Sequence, residues 1–136
     1  MKGRIYKMNR EIKFRVWDNS DKIMRTVHQL NCKTESNLTQ VSTDVGCFEV
    51  PWEFIIQYTG LKDKNGVEIY EGDTIKLSND QIGVVFYDDL SGASFDVDLR
   101  DGKYALLGLG TSVVSFKAFV IGNIYENPEL LAESQK

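Results

Sequence analysis

Apolar and polar residues alternate with period two along much of the chain, beginning at Glu11-Ile12-Lys13-Phe14-Arg15-Val16-Trp17. Ile12, Phe14 and Val16 fall on one face and the charges on the other, which predicts a half-buried strand. Asp18-Asn19-Ser20-Asp21 follows, a turn, because short polar side chains bond their own backbone. Residues 22–30 resume in extended form, so the first two strands are expected to pair as a hairpin. The pattern is weakest over 31–50, where 31–39 is polar and aperiodic and Gly46 and Pro51 punctuate the rest. This stretch reads as a loop with one short strand near 40–45.

Beyond Trp52 the pattern returns. Phe54-Ile55-Ile56-Gln57-Tyr58 has the aromatic and β-branched composition of a strand. Asn65-Gly66 between apolar flanks signals a hairpin, since both residues tolerate positive φ. Glu71-Gly72-Asp73 turns the chain into strands over 74–77 and 81–87, and Asp88-Asp89-Leu90-Ser91-Gly92 leads into Ser94-Phe95-Asp96-Val97-Asp98-Leu99-Arg100. There the alternation assigns Asp96 and Asp98 to the solvent face. Asp101-Gly102 is a further turn, and 116–125 is expected to supply the closing strand. Asn127-Pro128-Glu129 carries the start of a short helix: Asn as N-cap, Pro first, an acid in the first turn. Turns at roughly ten-residue intervals predict a mainly β fold, a compact sandwich or SH3-like barrel of short antiparallel strands with a short C-terminal helix.

At 136 residues, 42% apolar and 26% charged, the chain has the size and composition of one domain with one core. No apolar run approaches the ~20 residues that span a bilayer, and the basic start leads into no signal-peptide core. The expected compartment is the cytoplasm, with no membrane partner. Net charge is −4 but uneven. Lys2, Arg4, Lys7, Arg10, Lys13 and Arg15 face a single acid, Glu11, in the first fifteen positions, leaving ten basic and nineteen acidic residues for the rest. An acidic body repels phosphate backbones, so nucleic acid is possible but not favoured.

Candidate chemistry adds little. Cys32, Cys47 and the lone His28 fall short of four zinc ligands, and no metal or cofactor is expected. His28 lacks a nucleophile motif, and Gly108-Leu109-Gly110-Thr111-Ser112 lacks the P-loop lysine. Acid groups at Glu68, Glu71 and Asp73, at Asp88 and Asp89, and at Asp96 and Asp98 are the raw material for a hydrolase. Such an enzyme needs two carboxylates across a cleft, which spacing alone does not place. Trp17, Trp52, Tyr58, Tyr70, Phe86 and Tyr87 are potential stacking platforms for unpaired bases, although a domain this small buries most of its aromatics.

Three segments together are distinctive: Arg10-Glu11-Ile12-Lys13-Phe14-Arg15-Val16-Trp17-Asp18, Gln57-Tyr58-Thr59-Gly60-Leu61-Lys62-Asp63-Lys64-Asn65-Gly66-Val67-Glu68-Ile69-Tyr70-Glu71-Gly72-Asp73, and Val120-Ile121-Gly122-Asn123-Ile124-Tyr125-Glu126-Asn127-Pro128-Glu129-Leu130. In this order they resemble the YopX family of phage and prophage proteins. The resemblance implies a β-rich fold and a phage or prophage origin, and it transfers no catalytic residue. It also implies the boundaries: an extension over 1–7, a single domain over 8–132 and a tail over 133–136. The second segment's polar rim, Tyr58, Lys62, Asn65, Glu68, Tyr70, Glu71 and Asp73, is the candidate binding surface. The expected role is a non-enzymatic module that binds a protein partner or self-assembles. The alternatives are a single-stranded nucleic-acid binder and a carboxylate-based hydrolase.

Overall fold

β1 (Phe14–Asp18) organises the first of three antiparallel sheets, pairing on one side with β2 (Ile23–Thr26) and on the other with β6 (Ile55–Lys62). β7 (Glu68–Tyr70) completes the order β2-β1-β6-β7. The second sheet is a meander of β3 (Gln29–Cys32), β4 (Leu38–Thr43) and β5 (Gly46–Pro51). In the third, β8 (Asp73–Lys76), β9 (Ile82–Asp88), β10 (Ser94–Asp98) and β11 (Phe119–Asn123) take the order β10-β9-β8-β11 and curl into a half-barrel. A 3₁₀ turn at Trp52–Phe54 joins β5 to β6, and α1 (Glu129–Ser134) follows β11. The structure, a computed structural model, describes residues 11–32, 37–89, 93–99 and 118–134. The expected extension over 1–7, the turns through Leu90–Gly92 and Asp101-Gly102, the Gly108–Ser112 segment and the start of the closing strand lie outside those residues.

The fold is mainly β, as the alternation predicts, with the short C-terminal helix that Asn127-Pro128-Glu129 signals. Local chemistry follows the sequence closely. Asp18 Oδ1 accepts the N–H groups of Ser20 (3.0 Å) and Asp21 (3.1 Å), closing the β1–β2 turn. At the β6–β7 hairpin Gly66 takes φ +83° while Asn65 keeps a negative φ, so one left-handed residue serves where two were expected.

Two apolar clusters hold the sheets together. Val16, Val41 and Val50 are buried with Leu30, Phe48, Phe54 and Ile55 packed around them, joining the first sheet to the meander. Ile69 of β7 joins Ile75, Leu77, Val85, Val97 and Ala118, tying the first sheet to the half-barrel.

Three expectations are corrected. Residues 31–50 hold more than a loop and one short strand, because β4 and β5 pair in register from Leu38↔Pro51 to Thr43↔Gly46. Thr39, Val41 and Thr43 are buried and Gln40 is exposed, so the period is present but carried half by threonine. β-Branched threonine packs on a pleated surface much as valine does. Residues 22–30 do not form one strand. β2 returns along β1, and β3 pairs with β4 in the next sheet. Asp96 is not on a solvent face: it is 6% exposed, beside a fully buried Val97. Alternation separates a strand's two faces without saying which is covered, and β10 is covered on both.

Candidate binding cleft

The face of β1 opposite Val16 carries Lys13, Arg15 and Trp17, and none of the three is spent on solvent. Arg15 forms an ion pair with Asp73 at the head of β8. Asp73 Oδ2 accepts the Tyr70 N–H at 2.8 Å, and the Arg15 guanidinium lies 4.2 Å from the Tyr70 ring centroid. Lys13 pairs with Glu68 and, at 3.1 Å, with Glu11, and sits 5.0 Å from the Tyr58 ring centroid. Tyr58 and Tyr70 are themselves 5.3 Å apart. Each cation therefore has a carboxylate at one end and an aromatic face beside it, an arrangement that strengthens as water is excluded.

The electrostatics follow from this packing. Burial pushes the Asp73 carboxyl up to about 6, against the pull of the Arg15 charge and the Tyr70 N–H. Hydrogen bonds to Glu68 and Glu11 hold the Lys13 ammonium above its usual range. Burial raises both Tyr58 and Tyr70. The expectation of a half-buried β1 is thus corrected at its centre: the charged face is an ionic seam in which Lys13–Glu68 spans the first sheet and Arg15–Asp73 ties that sheet to β8.

Of the candidate surface residues, Tyr58 and Asp73 are buried and Glu68 and Tyr70 half-buried, all four meeting in this seam. Lys62 and Asn65 stand exposed at the β6–β7 hairpin. Below them Asp63, only 7% exposed, accepts the N–H groups of Asn65 (2.8 Å) and Val67 (2.9 Å) on Oδ1. Its Oδ2 accepts the Val120 N–H at 2.9 Å. This carboxylate fastens the hairpin to β11, a role the turn motif did not disclose.

Glu71 leaves the seam and lines a cleft of about 320 Å³ between the start of β6, β9 and the residues after β11. Its backbone is fixed on three sides. Glu71 N–H donates to Gln57 O (3.0 Å), Gly72 N–H to Val85 O (2.7 Å) and Ile124 N–H to Gly72 O (2.9 Å). Gly72 takes φ +82°, which an L side chain adopts only with strain. Glu71 Oε1 accepts the Gln57 N–H at 2.9 Å, and burial raises its carboxyl above the usual range.

Tyr125 forms another wall. It stacks on Trp17 at 5.5 Å, meets Phe54 edge-on at 6.4 Å, and donates its hydroxyl to Glu53 O at 2.9 Å. Contact between Trp17 and Tyr125 joins the first and third sequence motifs, which spacing alone did not connect. Trp52 and Tyr87, also lining the cleft, are 58% and 49% exposed. Of the six potential stacking platforms, these two are the ones open to solvent, whereas Trp17 and Tyr58 are buried.

A second cleft of about 350 Å³ contains Trp17, Asp18, Asp21 and Phe54. Two of its carboxylates are already engaged, Asp18 and Asp21 both accepting from Arg25. Among the described residues no group of three or more His, Cys, Asp or Glu is placed to hold a metal ion. His28 and Cys47 are exposed. No described helix is long and apolar enough to cross a membrane.

Comparison with known proteins places these features. A search of curated proteins gives no significant match. Among solved structures, the crystal structure of protein EF1440 from Enterococcus faecalis is similar, with a TM-score of 0.66 and 31% identity over 89% of this chain and 98% of that one. The family described as YopX protein matches residues 13–132, a span that takes in the seam, the hairpin and the cleft. The chain belongs to the YopX family.

Proposed function

We propose that this protein is a non-enzymatic binding module that engages a protein partner through the cleft flanked by Trp52 and Tyr87. The observation that carries this reading is the contrast between the two sets of motif residues. Charges at Lys13, Arg15, Glu68 and Asp73 are consumed in internal pairs, whereas two large aromatics stand exposed around a rigidly backed cleft. Exposed aromatic side chains beside a concavity are the usual anchors of protein interfaces. The family resemblance supports a setting in a phage-infected or prophage-bearing bacterial cell, with the host cytoplasm as the working compartment.

Single-stranded nucleic acid fits this cleft less well. Glu53 and Glu71 stand beside the aromatic rings and repel a phosphate backbone. Two of the six early cations, Lys13 and Arg15, are already paired with carboxylates of the chain itself. A hydrolase reading loses its best acid as well, since Asp73 is 1% exposed and paired.

The test compares tagged full-length protein with the Trp52→Ala/Tyr87→Ala double variant in host-cell lysate, with and without nuclease. A stoichiometric protein that survives nuclease and is lost from a folded double variant supports the proposal. Retention of that protein by the double variant, or release of all captured material by nuclease, overturns it. Light scattering on the purified chain identifies the case in which the partner is a second copy.

A further inference from the structure

We infer that the cleft receives an arginine side chain from a basic segment of the partner, with its aromatic wall as the stacking surface and Glu71 and Glu53 as counter-charges. This rests on the reading of the cleft as the docking face and names the chemistry of what docks there.

The argument begins with how this fold treats its own cations. Arg15 lies on Tyr70 and pairs with Asp73, and Lys13 lies near Tyr58 and pairs with Glu68. The same two components recur in the cleft without the third. Trp52, Tyr87 and Tyr125 supply aromatic surface and Glu53 and Glu71 supply carboxylates, yet no lysine, arginine or histidine is among the described residues that line it. Burial raises the Tyr125 hydroxyl, and the fields of Glu71 and Glu53 add to it against the opposing field of Arg15.

Glu71 is also positioned before any ligand arrives. One carboxylate oxygen is held by the Gln57 N–H and the backbone by Gln57 O, with Gly72 anchored to Val85. A side chain fixed in this way loses little freedom on binding. Arginine suits the site better than lysine. Its planar guanidinium stacks on an aromatic face while its edge meets a carboxylate, whereas an ammonium is a compact and strongly hydrated charge. Charge complementarity favours a basic donor segment, because the chain carries twenty acids against sixteen bases and nineteen of those acids follow residue 15.

The experiment titrates full-length, isotope-labelled protein with four probes: a tri-arginine amide, a tri-lysine amide, the uncharged tri-citrulline amide and a single-stranded oligothymidylate. The readout is the NMR signal of the Trp52 indole and of the Glu71, Gly72 and Tyr87 amides. The arginine peptide is expected to shift these signals and to bind about ten-fold more tightly than the citrulline peptide, with lysine between them. Glu71→Gln and, separately, the exposed Glu53→Gln should each reduce arginine affinity several-fold. Glu53→Gln preserves the carbonyl that Tyr125 uses, so it stays informative if Glu71→Gln perturbs the fold.

Equal binding of arginine and citrulline peptides overturns the inference while leaving an apolar docking cleft intact. Absence of any shift with the arginine peptide also overturns it. Shifts produced by the oligonucleotide alone would transfer the site to nucleic acid. Failure of the underlying reading is recognised independently, by a lysate partner that the Trp52→Ala/Tyr87→Ala variant retains.

Discussion

Asp73 is a buried, paired acid whose environment makes stability depend on pH. Its carboxyl is pushed up to about 6, above the ordinary value near 4 that it recovers on unfolding. Between those values the native state binds more protons than the unfolded one, so this group's contribution to stability is greatest below about pH 4 and declines as pH rises to about 6. Above that range the buried carboxylate depends on Arg15. Arg15→Met should therefore cost about 3 kcal/mol at pH 8, where an unpaired charge is left buried, and at least ~1 kcal/mol less at pH 5. Urea denaturation at the two pH values measures the difference; equal costs would show that the pair acts through packing alone. Gly72 is the second sensitive residue. A Cβ there meets the Tyr125 ring at 3.5 Å and Ile124 at 3.7 Å, in a backbone region that L side chains rarely adopt. Gly72→Ala is expected to destabilise by about 1–2 kcal/mol and to move the Tyr125 resonances at the cleft wall.

Among the elements, the β6–β7 hairpin depends on one side chain. Asp63→Ala leaves three N–H groups without their acceptor, those of Asn65, Val67 and Val120. It should cost about 2–3 kcal/mol, and amide exchange at Val67 and Val120 should accelerate together. Independent behaviour of the two amides would show that Asp63 does not couple the hairpin to β11. The hairpin's existence was legible from Asn65-Gly66, and the β1–β2 turn from its aspartates, because turn chemistry is local. The meander was not legible. Its alternation rests on Thr39 and Thr43, residues that also read as loop formers, so a polar composition masked a buried face. Charge misled in the opposite direction. Lys13 and Arg15 read as a solvated face, and Asp96 as an exposed acid, because a lone strand carries no information about what covers it. The cleft was legible only in part. Trp52, Tyr87 and Glu71 were singled out, but their meeting with Tyr125 requires β6, β9 and the end of β11 to converge.

For the whole molecule, the Arg15–Asp73 pair and two apolar clusters join the three sheets, and the cleft proposed for recognition carries aromatic and acidic side chains. One consequence concerns nucleic acid. Anisotropy of a labelled single-stranded oligonucleotide is expected to stay flat with micromolar protein at low salt, and a salt-sensitive rise would contradict this. The more direct measurement of the central claim is hydroxyl-radical footprinting of the full chain, free and in complex with its captured partner. Trp52 and Tyr87 should be oxidised readily in the free protein and protected severalfold in the complex. Undiminished oxidation of both, with protection at the Lys62–Asn65 hairpin instead, would contradict the assignment of the cleft as the docking face.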